Sequence, residues 1–125
     1  MTPRPDRILH MVPQAQWDDV VAGDADSYVP DRYAVDGFIH LSGVWQVTTP
    51  ANLLFAGRKD LVVLVVQTEP LGDALVWEAG DGTDELFPHL YAPLPLSAVV
   101  VAHPFPCEPD GTFTVGADLE ALVNG

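Results

Sequence analysis

Cysteine is nearly missing from this chain, with Cys107 the only one, and cations are scarce: five Lys and Arg against eighteen Asp and Glu. A single thiol forms neither an internal disulfide nor a cysteine-based metal cage, which fits a reducing compartment. Pro106 and Glu108 beside it offer no cation to stabilise a thiolate, so Cys107 reads as an incidental thiol and not a nucleophile. The shortage of Lys and Arg leaves a formal charge of -13, which repels phosphate backbones and anionic membranes. Neither nucleic acid nor membrane is expected as a partner. The acidic residues are dispersed and form no block, so they read as a solvated surface. The longest apolar run, residues 61–66, is far below the roughly 20 residues of a membrane span, and no apolar signal segment opens the chain. A cytoplasmic protein is expected.

Several catalytic signatures are absent as well. There is no His-x-x-x-His, no His-Glu-x-x-His and no Cys-x-x-Cys, so a metal site would need long-range assembly and none is assigned. Ser42 and Ser97 lack a nucleophile elbow. Gly80 and Gly82 lie among Asp81, Asp84 and Glu85 and are followed by no Lys and Ser or Thr, which excludes a phosphate-cradling loop.

What is present is core material: 48% apolar residues, with three Trp, five Phe and three Tyr in 125 residues. That is enough for one core and too little for two. Residues 1–6, with two prolines, read as a flexible lead-in, and residues 7–125 as a single globular domain. Residues 7–12 fit a first strand carrying His10. From Pro13 to Gly23, the spacing of Ala15, Trp17, Val20 and Val21 predicts a helix. A polar loop through Pro30 leads to residues 37–41, a short apolar segment with His40 embedded in it. Residues 44–57 read as a second helix with Val44, Val47, Ala51, Leu54 and Phe55 on its apolar face, started, kinked or divided by Pro50. Residues 61–67, LVVLVVQ, predict a central strand covered on both faces. Residues 75–78 form a short strand, 79–84 a turn or loop, and 97–102 another strand. Residues 86–96 are too rich in proline for a regular central strand, and 119–123 add a turn of helix. Early helices followed mostly by strands argue for an α+β fold with two short helices.

Three of the four histidines, His10, His40 and His89, sit in apolar segments, where each ring must find a hydrogen-bond partner. A satisfied core or cleft histidine is the ordinary outcome for any one of them; three together invite a site. Phe87, Pro88 and Tyr91 are candidates to wall a pocket around His89, with core packing the competing reading and the one favoured for Trp77.

The segments ILHMVP with Trp17, DGFIHLS with Gln46, GRKDLVVLVV, VWE and ELFPHLYAPLPLSAVV occur in the order and at the spacings of a family of small bacterial proteins, domain of unknown function 952, which the chain resembles over most of its length. The resemblance implies a small split or curved mixed sheet similar to that of ADP-ribosyltransferases, which bind NAD across two facing strands; this is analogy of fold. On that analogy His10 meets the ribose next to adenine, although Met11 and Val12 stand where those enzymes carry Gly-Thr. His40 stacks on nicotinamide, Ser42 lies on the same face, and Glu85 or His89 supplies the third group. The expectation is an NAD- or nucleotide-binding, ADP-ribosyltransferase-like enzyme with a His-His cleft. Its alternatives are a non-catalytic small-ligand-binding or interaction module using that cleft, and a structural partner in a larger assembly.

Overall fold

The computed structural model describes residues 5–80 and 82–124. Of the expected lead-in, residues 1–4 lie outside that range, while the carbonyls of Pro5 and Asp6 accept hydrogen bonds from Thr68. Strand β1 (Arg7–Pro13) and helix α1 (Gln14–Ala22) meet at Pro13, whose fixed φ suits the entry to a helix. Gly23 ends α1, its N–H donating to the carbonyls of Asp19 and Val20, and Trp17 is the buried residue of the helix.

The apolar run becomes strand β4 (Leu61–Gln67), the centre of an antiparallel sheet between β1 and β8 (Val99–Pro104). Every residue from Leu61 to Val66 is buried. Side chains alternate across a strand, so the two faces feed two cores. Val62, Leu64 and Val66 join Ile8, Val12, Trp17, Tyr28, Ile39 and Leu90 on one side. Leu61, Val63 and Val65 join Leu9, Val47, Phe105, Phe113 and Leu119 on the other. Burying each such side chain contributes about 1.5–3 kcal/mol, which makes β4 the axis of the fold.

Strand β2 (Ser27–Tyr28) pairs with β7 (Leu94–Pro95) and drives Tyr28 into the first core. Helix α2 (Tyr33–Asp36) is one turn long, closed by Gly37 at φ 82, a left-handed conformation that costs glycine little. It delivers the chain to β3 (Ile39–His40). The last sheet runs β3, β6 (Leu86–Leu90), β5 (Leu75–Ala79), again antiparallel throughout. A bridge between Leu9 and Ser42, with N–H to O distances of 2.7 and 2.8 Å, ties the end of this sheet to β1.

The α+β expectation matches this architecture, with four differences. Every strand pair is antiparallel, where a mixed sheet was expected. Residues 86–90 do form a central strand despite Pro88. Proline brings a carbonyl to the ladder and no N–H; the Pro88 carbonyl accepts from Leu41 N–H at 3.0 Å, nothing is returned, and β3 stops at His40. The second helix is α3 (Thr48–Phe55), shorter than residues 44–57, because Pro50 sits in the first turn, where backbone N–H groups lack intrahelical partners in any case. Val47 and Ala51 face the core, and Leu54, expected beside them, is 67% exposed. There are also more helical segments than two: α2, two 3-10 turns at Glu69–Ala74 and Leu96–Ala98, and α4 (Ala117–Asn124), which extends the turn expected at 119–123. Among the described residues no helix is long and apolar enough to cross a membrane.

Candidate functional site

Alternation places the key side chains. In β3, Ile39 enters the core, so Phe38 and His40 project from the opposite face. In β6, Phe87 and His89 share a face, and Tyr91 follows two residues later. The register sets His40 directly opposite His89, and on the far side Val76 opposite His89 and Glu78 opposite Phe87. One face of the β3-β6-β5 sheet therefore collects Phe38, His40, Glu78, Phe87, His89 and Tyr91.

The two imidazoles meet edge to face, ring centroids 5.4 Å apart. Phe38 stacks on His89 with centroids at 4.1 Å and a 20° tilt, and lies 4.7 Å from His40 and 5.2 Å from Tyr91. Each imidazole is anchored by a carboxylate. His40 Nε2 is 2.9 Å from Asp36 Oδ2, and His89 Nδ1 is 2.8 Å from Glu78 Oε1. Asp36, the last residue of α2 and four residues before His40, also accepts from the Arg32 guanidinium. The Tyr91 hydroxyl donates to the Glu78 oxygen that holds His89.

These contacts account for the acid–base shifts. Arg32, then His40, hold the Asp36 carboxyl below the usual carboxylate range. Tyr91, then His89, do the same for Glu78. The hydrogen bond to Glu78, which stabilises the neutral phenol, raises the pKa of Tyr91, with desolvation and the Glu78 charge acting in the same direction.

The remaining candidates lie elsewhere. His10 is buried in the first core, with Nδ1 2.8 Å from the His40 carbonyl and Nε2 3.4 Å from the Tyr28 hydroxyl. Burial lowers its pKa from 6.5 to about 4, and raises that of Tyr28 to about 12 with help from Asp31. His10 thus touches His40 through the backbone, and the ring facing His40 is that of His89. Ser42 is buried and spends its backbone on Leu9. Glu85 is exposed at the start of β6 and accepts from Gln46 Nε2 at 2.7 Å; Gln46 also caps Gly43 N–H at 2.9 Å. Trp77, on the opposite face from His89, stacks parallel to the exposed Trp45, centroids 6.1 Å apart.

Sequence reasoning missed Phe38, Asp36 and Glu78. The period-two spacing of Phe38 with His40, and of Phe87, His89 and Tyr91, was a readable signal, as was Asp36 four residues before His40. The pairing of β3 with β6 carried no local signal. Surface depressions of 320 Å³, around His103, Glu108 and Asp118, and 330 Å³, around Arg7 and Glu69, lie apart from His40 and His89. In the cluster itself His40 is exposed and His89 is buried beneath Phe38. Among the described residues no group of three or more His, Cys, Asp or Glu has a metal-holding arrangement.

The family described as "Protein of unknown function (DUF952)" matches residues 11–102. No curated protein matches the chain. The crystal structure of protein CC0527 from Caulobacter crescentus is similar, at 36% identity over 91% of this chain and 98% of that one, with a TM-score of 0.80. The solution NMR structure of CC0527 shares 37% identity over 93% and 98% of the two chains, with a TM-score of 0.75.

Proposed function

Since the chain belongs to the DUF952 family, whose description assigns no activity, we propose its function from geometry: a small-ligand-binding protein whose site is the Phe38, His40, His89 and Tyr91 face. The observation that carries this reading is the pair of imidazoles, each oriented by its own carboxylate and in contact with the other on one sheet face. A fold gains little by holding an exposed imidazole and a second one just beneath the surface against an aromatic cluster. A ligand gains oriented polar groups beside apolar walls, the usual make-up of a recognition site. The partner in this reading is a small molecule.

A second reading, an NAD- or nucleotide-binding enzyme of the ADP-ribosyltransferase type, draws on the bond from His10 to the His40 carbonyl, which couples the two histidine-bearing strands. His89, in contact with His40, then suits the third position better than Glu85, which Gln46 engages. This reading requires His10 to leave the His40 carbonyl and Tyr28 before it reaches a ribose.

Thermal-shift assays with NAD, ADP-ribose, nicotinamide, glutathione and small amines test the first reading, because a ligand bound only by the native state raises the melting temperature, by about 2.7 kcal/mol of stability at a hundred times its Kd. The expected ligand also moves the His40 and His89 imidazole resonances. Stabilisation without movement of those resonances places binding elsewhere and overturns the proposal. Release of nicotinamide from NAD by the wild type, lost in His40→Ala, selects the second reading.

A further inference from the structure

The hydrogen-bond polarity of this face narrows its ligand. Ionised carboxylates only accept, so His40 Nε2 and His89 Nδ1 carry the hydrogens shared with Asp36 and Glu78. In the neutral rings the lone pairs are then on His40 Nδ1 and His89 Nε2. No described residue bonds either atom. His89 is only 5% exposed, yet among the described residues no fully buried side-chain polar atom lacks a partner, so its Nε2 keeps a small contact with solvent. Tyr91 directs its hydroxyl hydrogen to Glu78. The face therefore presents acceptors: the two ring nitrogens, with the Tyr91 hydroxyl oxygen and Glu78 Oε2 beside them.

Its charge has the same preference. Asp36 and Glu78 are opposed at this face by Arg32, within a chain of formal charge -13. Such a field concentrates cations and repels phosphates. Phe38 and Tyr91, the latter 46% exposed, add π faces suited to a flat cation. Asp36 already takes a guanidinium, with Arg32 Nη2 at 3.0 Å and Nε at 3.3 Å.

We infer that the ligand of the His40–His89 face is a planar cation bearing N–H donors, of the amidinium or guanidinium class, with its donors on His40 Nδ1 and His89 Nε2 and its plane against the aromatic cluster. This rests on the reading of the face as a ligand site and specifies the chemistry the site takes. An ammonium ion matches the charge and not the shape; a nucleotide matches the rings and not the charge.

The test is a titration of the full chain, with histidine side chains labelled with 15N, against phenylguanidinium, methylammonium, ADP-ribose and NAD. Phenylguanidinium is expected to move His40 Nδ1 and His89 Nε2 and to bind at least about tenfold more tightly than methylammonium, the aromatic contact supplying the difference. Glu78→Gln, with an unchanged melting temperature, is expected to weaken it by about tenfold through loss of one charge-oriented imidazole. Equal responses to phenylguanidinium and methylammonium show diffuse attraction to an acidic surface and overturn the inference. Movement of these nitrogens by ADP-ribose or NAD alone keeps the site and overturns the ligand class. Silence from all four probes, together with no hit in the thermal-shift panel, overturns both.

Discussion

His10 Nδ1 lies 2.8 Å from the carbonyl oxygen of His40, and the opposite nitrogen of the same ring faces the Tyr28 hydroxyl at 3.4 Å. The carbonyl only accepts, so Nδ1 carries the hydrogen and Nε2 is left to accept from the hydroxyl. Both nitrogens of His10 are thus occupied within the protein, one of them by the backbone of the strand that presents His40 at the surface. Together with the Leu9–Ser42 bridge, this bond locks β3 against β1.

The environment of His10 makes stability depend on pH. Desolvation lowers its pKa from 6.5 to about 4; the bond to the His40 carbonyl opposes the shift and the charge of His40 adds to it. The folded value lies below the unfolded one, so the stabilisation is complete above the unfolded pKa and is lost as pH falls toward the folded one. The loss across that window amounts to about 3 kcal/mol. Denaturant unfolding at about pH 7.5 and about pH 4.5 is expected to show it. His10→Gln, which keeps a donor for the His40 carbonyl, is expected to flatten the difference; parallel pH profiles for variant and wild type remove His10 as the cause.

Glu78 joins Tyr91 to His89, and its carboxylate is what raises the Tyr91 phenol. In Glu78→Gln the negative charge goes and a polar side chain of equal size stays, so the phenol is expected to titrate at lower pH, toward its ordinary value. Phenolate absorbance during an alkaline titration, with Tyr91→Phe to identify the transition, measures the change. An unmoved transition contradicts the shared carboxylate.

Gly43 lies under the indole of Trp45: a Cβ there would meet the ring carbons Cη2 and Cζ3 at 2.4 Å. Trp45 is 60% exposed and free to swing outward, so Gly43→Ala is expected to cost no more than about 1 kcal/mol. It should nevertheless separate the parallel Trp45–Trp77 pair. Loss of the exciton signal of paired indoles in circular dichroism, with a nearly unchanged unfolding midpoint, is the expected result. A retained exciton signal means the alanine fits without displacing Trp45.

Much of this protein was decided locally and could be read along the chain. The valine-rich apolar run 61–66 could satisfy its side chains only as a strand buried on both faces, and Pro13 and Gly23 bounded α1 through their backbone chemistry. Period-two spacing likewise put Phe38 with His40, and Phe87 with His89 and Tyr91, wherever those strands were to lie. Tertiary structure alone decided which strands met. Whether His40 faces His10 or His89 depends on long-range pairing, and hydrogen bonds between distant backbones leave no trace in the spacing of either segment. The same holds for Pro88, whose missing N–H is tolerated in a central strand only because β3 ends at that point, and for Asp36 and Glu78, two acidic residues among eighteen until folding set each beside an imidazole.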